Sequence, residues 1–168
     1  MRSRGASLAE SVLRPSEARD RPALLTLIIE LQEHERRLHD GLLPGAQIAE
    51  AYLAYLERHL TASGGELWVA ELEGGVVGFV AFLIDHYEGP EETADSATFV
   101  LVSDICVAQA QRGRGIAQML LDRAEAFARE RGMARLRIEV LSANNEARRA
   151  YRRFGFEPYV EMLEKVIC

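Results

Sequence analysis

The chain has 168 residues, 48% of them apolar and 27% charged, enough for one domain with a sizeable core and too few for two. Its formal charge of −6 argues against general nucleic-acid binding, and no apolar run reaches the roughly 20 residues that cross a bilayer. Two cysteines, Cys106 and Cys168, make no disulfide framework, so a reducing, cytoplasmic setting is expected. Residues 1–168 read as one domain with 1–10 as a flexible tail. The basic start is interrupted by Glu10, so no signal peptide is expected.

Residues 11–14 read as a short first strand. From Ser16 to about Leu38, the side chains Leu24, Leu27, Ile28, Leu31 and Leu38 recur at helical spacing, with Ser16 as N-cap or Pro22 in the true first turn. After DGLLPG a second helix is predicted near 46–62, with Ala49, Leu53, Leu56 and Leu60 on one face and SGG at its end. The period then shifts. Residues 67–73 read as a strand, Gly74-Gly75 as a two-residue hairpin turn and 76–84 as the partner strand. VVGFVAFLI is apolar throughout, so that strand is expected to be covered on both faces. A loop over 85–97 carries Asp85, Glu88, Glu91, Glu92 and Asp95 and no Lys or Arg. A strand follows at 98–107, then a helix at 116–131 with Ile116, Leu120, Ala124 and Phe127 on one face and Gly132 as its stop. Residues 135–141 read as a strand, 144–154 as a short helix and 159–166 as a final strand. The fold class is α+β: a mixed, mostly antiparallel sheet with flanking helices and one parallel β-α-β unit at 98–141.

Charge is unevenly spread. Residues 111–153 hold 11 Arg against 5 acids, while the remainder is strongly acidic. Such asymmetry suits one anionic and one cationic ligand, or simply solvated helix faces. Within the basic part, QRGRGIAQMLLDRAEAFA at 111–128 runs a glycine turn into an amphipathic helix. Glycines at a helix start let backbone N–H groups and the positive end of the helix approach an anion. A P-loop would need a Lys that is absent. A dinucleotide turn would need a third Gly where Gln118 stands, and a tighter connection than Ala108 to Arg112 allows.

The stretch VAQAQRGRGIA resembles the acyl-CoA-binding motif of the GCN5-related N-acetyltransferase (GNAT) superfamily, Gln/Arg-x-x-Gly-x-Gly/Ala, met here by Arg112, Gly115 and Ala117. LSANNEARRAYRRFGF at 141–156 resembles the same family's Asn-x-x-Ala-x-x-x-Tyr-x-x-x-Gly-Phe, met by Asn144, Ala147, Tyr151, Gly155 and Phe156. The resemblance covers roughly residues 66–167 and implies the GNAT fold, acetyl-CoA as co-substrate, and direct transfer of an acetyl group to an amine. It implies that Gln111, Arg112, Gly113, Arg114, Gly115, Ile116 and Ala117 hold the cofactor's diphosphate. It further implies that Ile105, Cys106 and Val107 pair with the pantetheine arm where the sheet splays, with Asn144 and Tyr151 also on the cofactor. Tyr151 is then the acid for the thiolate leaving group. Asp104 is the first candidate for the base and Glu139 the second, the alternative for Asp104 being a structural carboxylate. Cys106 reads as packing rather than as a nucleophile. Glu30, Glu33 and Glu35, with the acids of the 85–97 loop, would favour a small cationic acceptor. Alternatives are a protein lysine as acceptor, and a non-catalytic acyl-CoA sensor. His34, His39, His59 and His86 show no metal-ligand spacing, so no metal is expected. Many relatives have room for two strands after the Gly-Phe pair, whereas here one fits. The acceptor pocket is therefore expected to be open, or completed by a second subunit in a homodimer. No nucleic-acid or membrane partner is expected.

Overall fold

The computed structural model describes residues 11–167. The tail expected at 1–10, and Cys168, lie outside the described residues. The elements, in chain order, are β1 (Ser11–Pro15), α1 (Arg21–Arg36), α2 (Gly45–Ala62), β2 (Glu66–Leu72), β3 (Gly75–His86), α3 (Ala94–Ala97), β4 (Thr98–Val107), α4 (Ile116–Glu130), β5 (Leu136–Ile138) and α5 (Asn145–Phe154). The five strands form one sheet in sequence order. β1 to β4 pair antiparallel, and β5 joins β4 in parallel through the α4 crossover.

The sheet separates two apolar layers because its strands carry apolar side chains on both faces. On one face Val80, Phe82, Val100 and Val102 meet Leu120, Ala124 and Phe127 of α4. On the other, Val69, Phe79 and Cys106 meet Leu24, Leu27 and Ile28 of α1 and Leu53 of α2. β3, expected to be covered on both faces, has six consecutive buried residues from Gly78 to Leu83. Among the described residues, no helix is long and apolar enough to cross a membrane.

Several expectations need correction. Asp20, rather than Ser16, precedes the first helix, and Pro22 stands in its first turn, where the missing N–H costs no bond. The hairpin turn is Glu73-Gly74, one residue early. Leu72 pairs with Gly75, and Glu73 and Gly74 take φ of 51° and 81°, the positive pair a two-residue primed turn requires. β5 is only three residues long, where a strand over 135–141 was expected. The final strand expected over 159–166 is absent: residues 155–167 are neither helix nor strand. Alternating apolar character makes a strand only beside a free edge in register. Here Val160, Met162 and Leu163 stay 85–93% exposed.

Candidate active site

The sheet opens in the second half of β4. Val100–Val102 lie parallel to Leu136–Ile138, but from Ser103 to Val107 the side of β4 that faces β5 has no strand partner. The opposite side stays paired, Ile105 with Val80, Cys106 with Phe79 and Val107 with Gly78. Ile105, Cys106 and Val107 therefore present main-chain N–H and C=O groups to a gap, ready to pair with an extended ligand.

A β-bulge sits just before this gap. Ala81 pairs with Asp104 and Phe82 with Val102, which leaves Ser103 as an extra residue in β4. A bulge re-aims the side chains beyond it. Val100 and Val102 pack toward α4, yet after the bulge Cys106 packs toward α1 and α2. Asp104 turns the same way, and Tyr52 of α2 donates its O–H to Oδ1 at 2.6 Å. Asp104 is 7% exposed, and its Oδ2 is buried without a hydrogen-bond partner. Burial raises the pKa of this carboxyl above the ordinary value, with the Tyr52 hydrogen bond opposing.

Two further groups share this environment. Burial raises the Glu35 carboxyl of α1, and the charge of Asp104 raises it further. Burial pushes the Tyr151 phenol of α5 up to about 12, with Glu35 and Cys106 adding to the effect. Tyr151 thus stays protonated at neutral pH. Cys106 is buried and its thiol is pushed up to about 12, chiefly by burial, so packing accounts for it and a thiolate nucleophile is not available.

Beyond β4 the chain makes a short 3-10 turn, Gln109–Gln111, then the glycine turn. Gly113 and Gly115 have φ of 76° and 81°, a region few side-chain-bearing residues enter. Gly115 is the N-cap of α4, and no side chain caps the helix. The first-turn N–H groups are left for another acceptor. Gly113, Arg114 and Gly115 are exposed. Arg112, expected to hold the cofactor, already has protein partners. Its Nε donates to the Val107 carbonyl at 3.1 Å and its Nη2 to Glu30 at 3.3 Å, and Glu30 also accepts from the Gln109 N–H at 2.8 Å. Arg112 is therefore a strut between the loop, β4 and α1 before any anion arrives. The amide oxygen of Gln111 is buried without a partner, an acceptor that suits an N–H and not a phosphate. Uncapped helix, left-handed glycines and open strand edge together suit an acyl-CoA, with free N–H groups for a diphosphate at one end and an unpaired strand edge for an extended arm at the other.

The structure redistributes the remaining candidates. Asn144 caps α5, its Oδ1 accepting from the Ala147 N–H at 3.1 Å. Glu139 is exposed and lies beyond the paired part of β5. Glu33 accepts from the Gly45 N–H at 2.6 Å and pairs with Arg36 at 2.8 Å. In the acidic loop, Glu92 holds Arg137 at 3.0 Å and the Tyr159 hydroxyl at 2.6 Å, while Asp95 accepts from Thr93. Tyr52 was missed by sequence reasoning. The available signal was a tyrosine beside the Ala49, Leu53, Leu56 stripe, whose ring can pack while its hydroxyl seeks a polar partner.

The fold and the motif segment match known proteins. The model of the acetyltransferase (GNAT) family matches residues 28–156. The chain is 40% identical over 96 residues to streptothricin acetyltransferase of Streptomyces lavendulae, a match covering 43% of this chain and 51% of that protein, so the chain spans about half the length of this curated relative. Among solved structures, a GCN5-related N-acetyltransferase from Ralstonia eutropha JMP134 superposes with a TM-score of 0.72 at 21% identity, over 93% of this chain and 98% of that one. An aminoglycoside N-acetyltransferase, AAC(6')-Iy, solved with CoA, superposes with a TM-score of 0.69 at 19% identity, over 94% of each chain. With the family model spanning both motif segments and the splayed strand between the layers, the chain belongs to the acetyltransferase (GNAT) family.

Proposed function

We propose that this chain moves an acetyl group from acetyl-CoA to the amine of a small cationic acceptor by direct attack, with no acyl-enzyme. The observation that carries this reading is the continuity of the uncapped α4 start with the open edge of β4, flanked by a protonated phenol and a buried carboxyl. In this reading the N–H groups of residues 111–117 bind the diphosphate, and Ile105, Cys106 and Val107 align the pantetheine arm. A backbone N–H near Ile105 polarises the acetyl carbonyl; one such donor is typically worth ~3 kcal/mol. Asp104 takes a proton from the acceptor ammonium, and Tyr151 donates one to the departing sulfur. Asn144 supports the site by fixing the start of α5, which carries Tyr151. Streptothricin acetyltransferase as a relative supports a small-molecule amine over a protein lysine. We read the chain as one N-acetyltransferase domain. The exposed apolar run of Val160, Met162, Leu163 and Ile167 supports a homodimer that covers it.

The test is acetyl-CoA consumption by the purified chain over streptothricin, aminoglycosides, polyamines, amino acids and lysine peptides. Turnover with a small polyamine or aminoglycoside-type acceptor is expected. CoA binding without turnover on any amine would favour the sensor, and turnover confined to peptides would favour a protein lysine.

A further inference from the structure

Beside the open edge of β4, Tyr52 of α2 meets Asp104 of the strand, and Glu35 of α1 is close enough for the charge of Asp104 to act on its carboxyl. The neighbouring acids of α1 are engaged, Glu30 by Gln109 and Arg112, Glu33 by Gly45 and Arg36. Among the described residues, the Glu35 carboxylate has no hydrogen bond or ion pair, and the Asp104 Oδ2 has none either. We propose that Tyr52 and Glu35 complete a proton-accepting centre around Asp104: Tyr52 is a positioning residue that fixes which carboxylate oxygen is basic, and Glu35 draws a cationic amine to that oxygen. The inference rests on the reading of Asp104 as the base.

The geometry divides the work. Tyr52 donates to Oδ1, so Oδ1 is already satisfied and Oδ2 keeps its lone pairs for a proton. A buried acceptor without a partner is costly, and an ammonium N–H relieves it. In the reaction one N–H bond of the ammonium breaks, its electron pair stays on nitrogen, and the proton forms an O–H bond with Oδ2. The neutral amine forms the C–N bond as the C–S bond breaks. The Tyr151 proton goes to sulfur, and the second nitrogen proton restores the phenol through water. Asp104 then returns its proton to solvent. Tyr52 comes from α2 and Glu35 from α1, Ser103 and Cys106 lie beside Asp104 on the same strand, the latter as a neutral thiol, and Ala81 of β3 lies opposite it. Glu30 of α1 and Arg112 act with opposite sign on the neighbouring Cys106, and Tyr151 of α5 is influenced by Glu35 and Cys106. The charge of Asp104 makes proton loss from Glu35 harder, while the hydrogen bonds from Tyr52 and Ser103 make proton loss from Asp104 easier.

The Tyr52 hydrogen bond gives a signed test. Carbon-13 NMR titration of the aspartate carboxyl carbons in the full chain, without CoA or acceptor, follows Asp104, with Asp104→Asn assigning its signal. Tyr52→Phe is expected to raise the Asp104 midpoint by about half a pH unit or more, because it removes a donor to the ionised form. The acidic limb of kcat/KM moves up with it. Glu35→Gln is expected to raise KM for a cationic amine about tenfold with KM for acetyl-CoA unchanged, and Glu35→Asp to restore it. An Asp104 midpoint that stays fixed or falls in Tyr52→Phe, or a KM for the amine that Glu35→Gln leaves unchanged, overturns the inference. If Asp104→Asn abolishes the acidic limb and the other variants leave it in place, the inference fails alone. If Asp104→Asn keeps the original profile, Asp104 is not the base and both readings fall.

Discussion

Asp104 and Tyr151 respond to burial in the same direction but with different consequences. Burial raises both groups, and for a phenol that means it remains a proton donor across the working pH range. In the proposed mechanism Tyr151 gives its proton to the departing sulfur; with the phenol pushed up to about 12 and thiols ordinarily lower, this transfer is uphill by itself and is drawn forward by the second nitrogen proton that restores the phenol. Tyr151→Phe is accordingly expected to lower kcat by about 10²–10³ with the acetyl-CoA dissociation constant nearly unchanged, read by steady-state kinetics and calorimetric titration. A full-speed variant removes Tyr151 as the acid. At this scale Asn144, Ala147, Tyr151, Gly155 and Phe156 stood out through their resemblance to the family's motif, and Asn144, Ala147 and Tyr151 are also spaced to share one side of a helix. The Tyr52–Asp104 bond was not legible, since 52 residues separate its partners and only the folded sheet brings them together.

At the scale of elements, the glycine turn and the bulge in β4 place the site. Gly115 serves as N-cap in a left-handed conformation, and no side chain caps the helix, so its first N–H groups stay free for the proposed diphosphate. Gly115→Glu adds strain at φ 81° and a negative charge where the diphosphate is expected. CoA affinity should fall by at least 100-fold in calorimetric titration, and an unchanged affinity would refute the anion-binding turn. The turn was readable because a glycine pattern before an amphipathic period is local. The Ser103 bulge was not readable, because it is defined by register against β3, and it decides whether Asp104 faces α4 or the α1–α2 side. The Arg112–Glu30 contact was likewise not readable, because its partners lie 82 residues apart in sequence.

For the whole molecule, stability and site geometry share the same two apolar layers. Phe127 of α4 is fully buried, with its ring centroid 4.9 Å from that of Phe82. Phe127→Ala should destabilise the chain by about 3–5 kcal/mol, measured by urea unfolding, because neighbours in a packed layer close such a cavity only in part. A loss under ~1 kcal/mol would show that the α4 layer is loosely packed. Sequence patterning by itself determined the order and type of nearly all elements, the two-sided burial of β3 and the position of the glycine turn. Each of these follows from side-chain period or from backbone needs within a few residues. Only the tertiary structure decided where β4 and β5 part, that residues 159–166 find no strand partner, and that Tyr52 meets Asp104. Those features depend on register and on contacts between distant segments, which a local pattern does not encode.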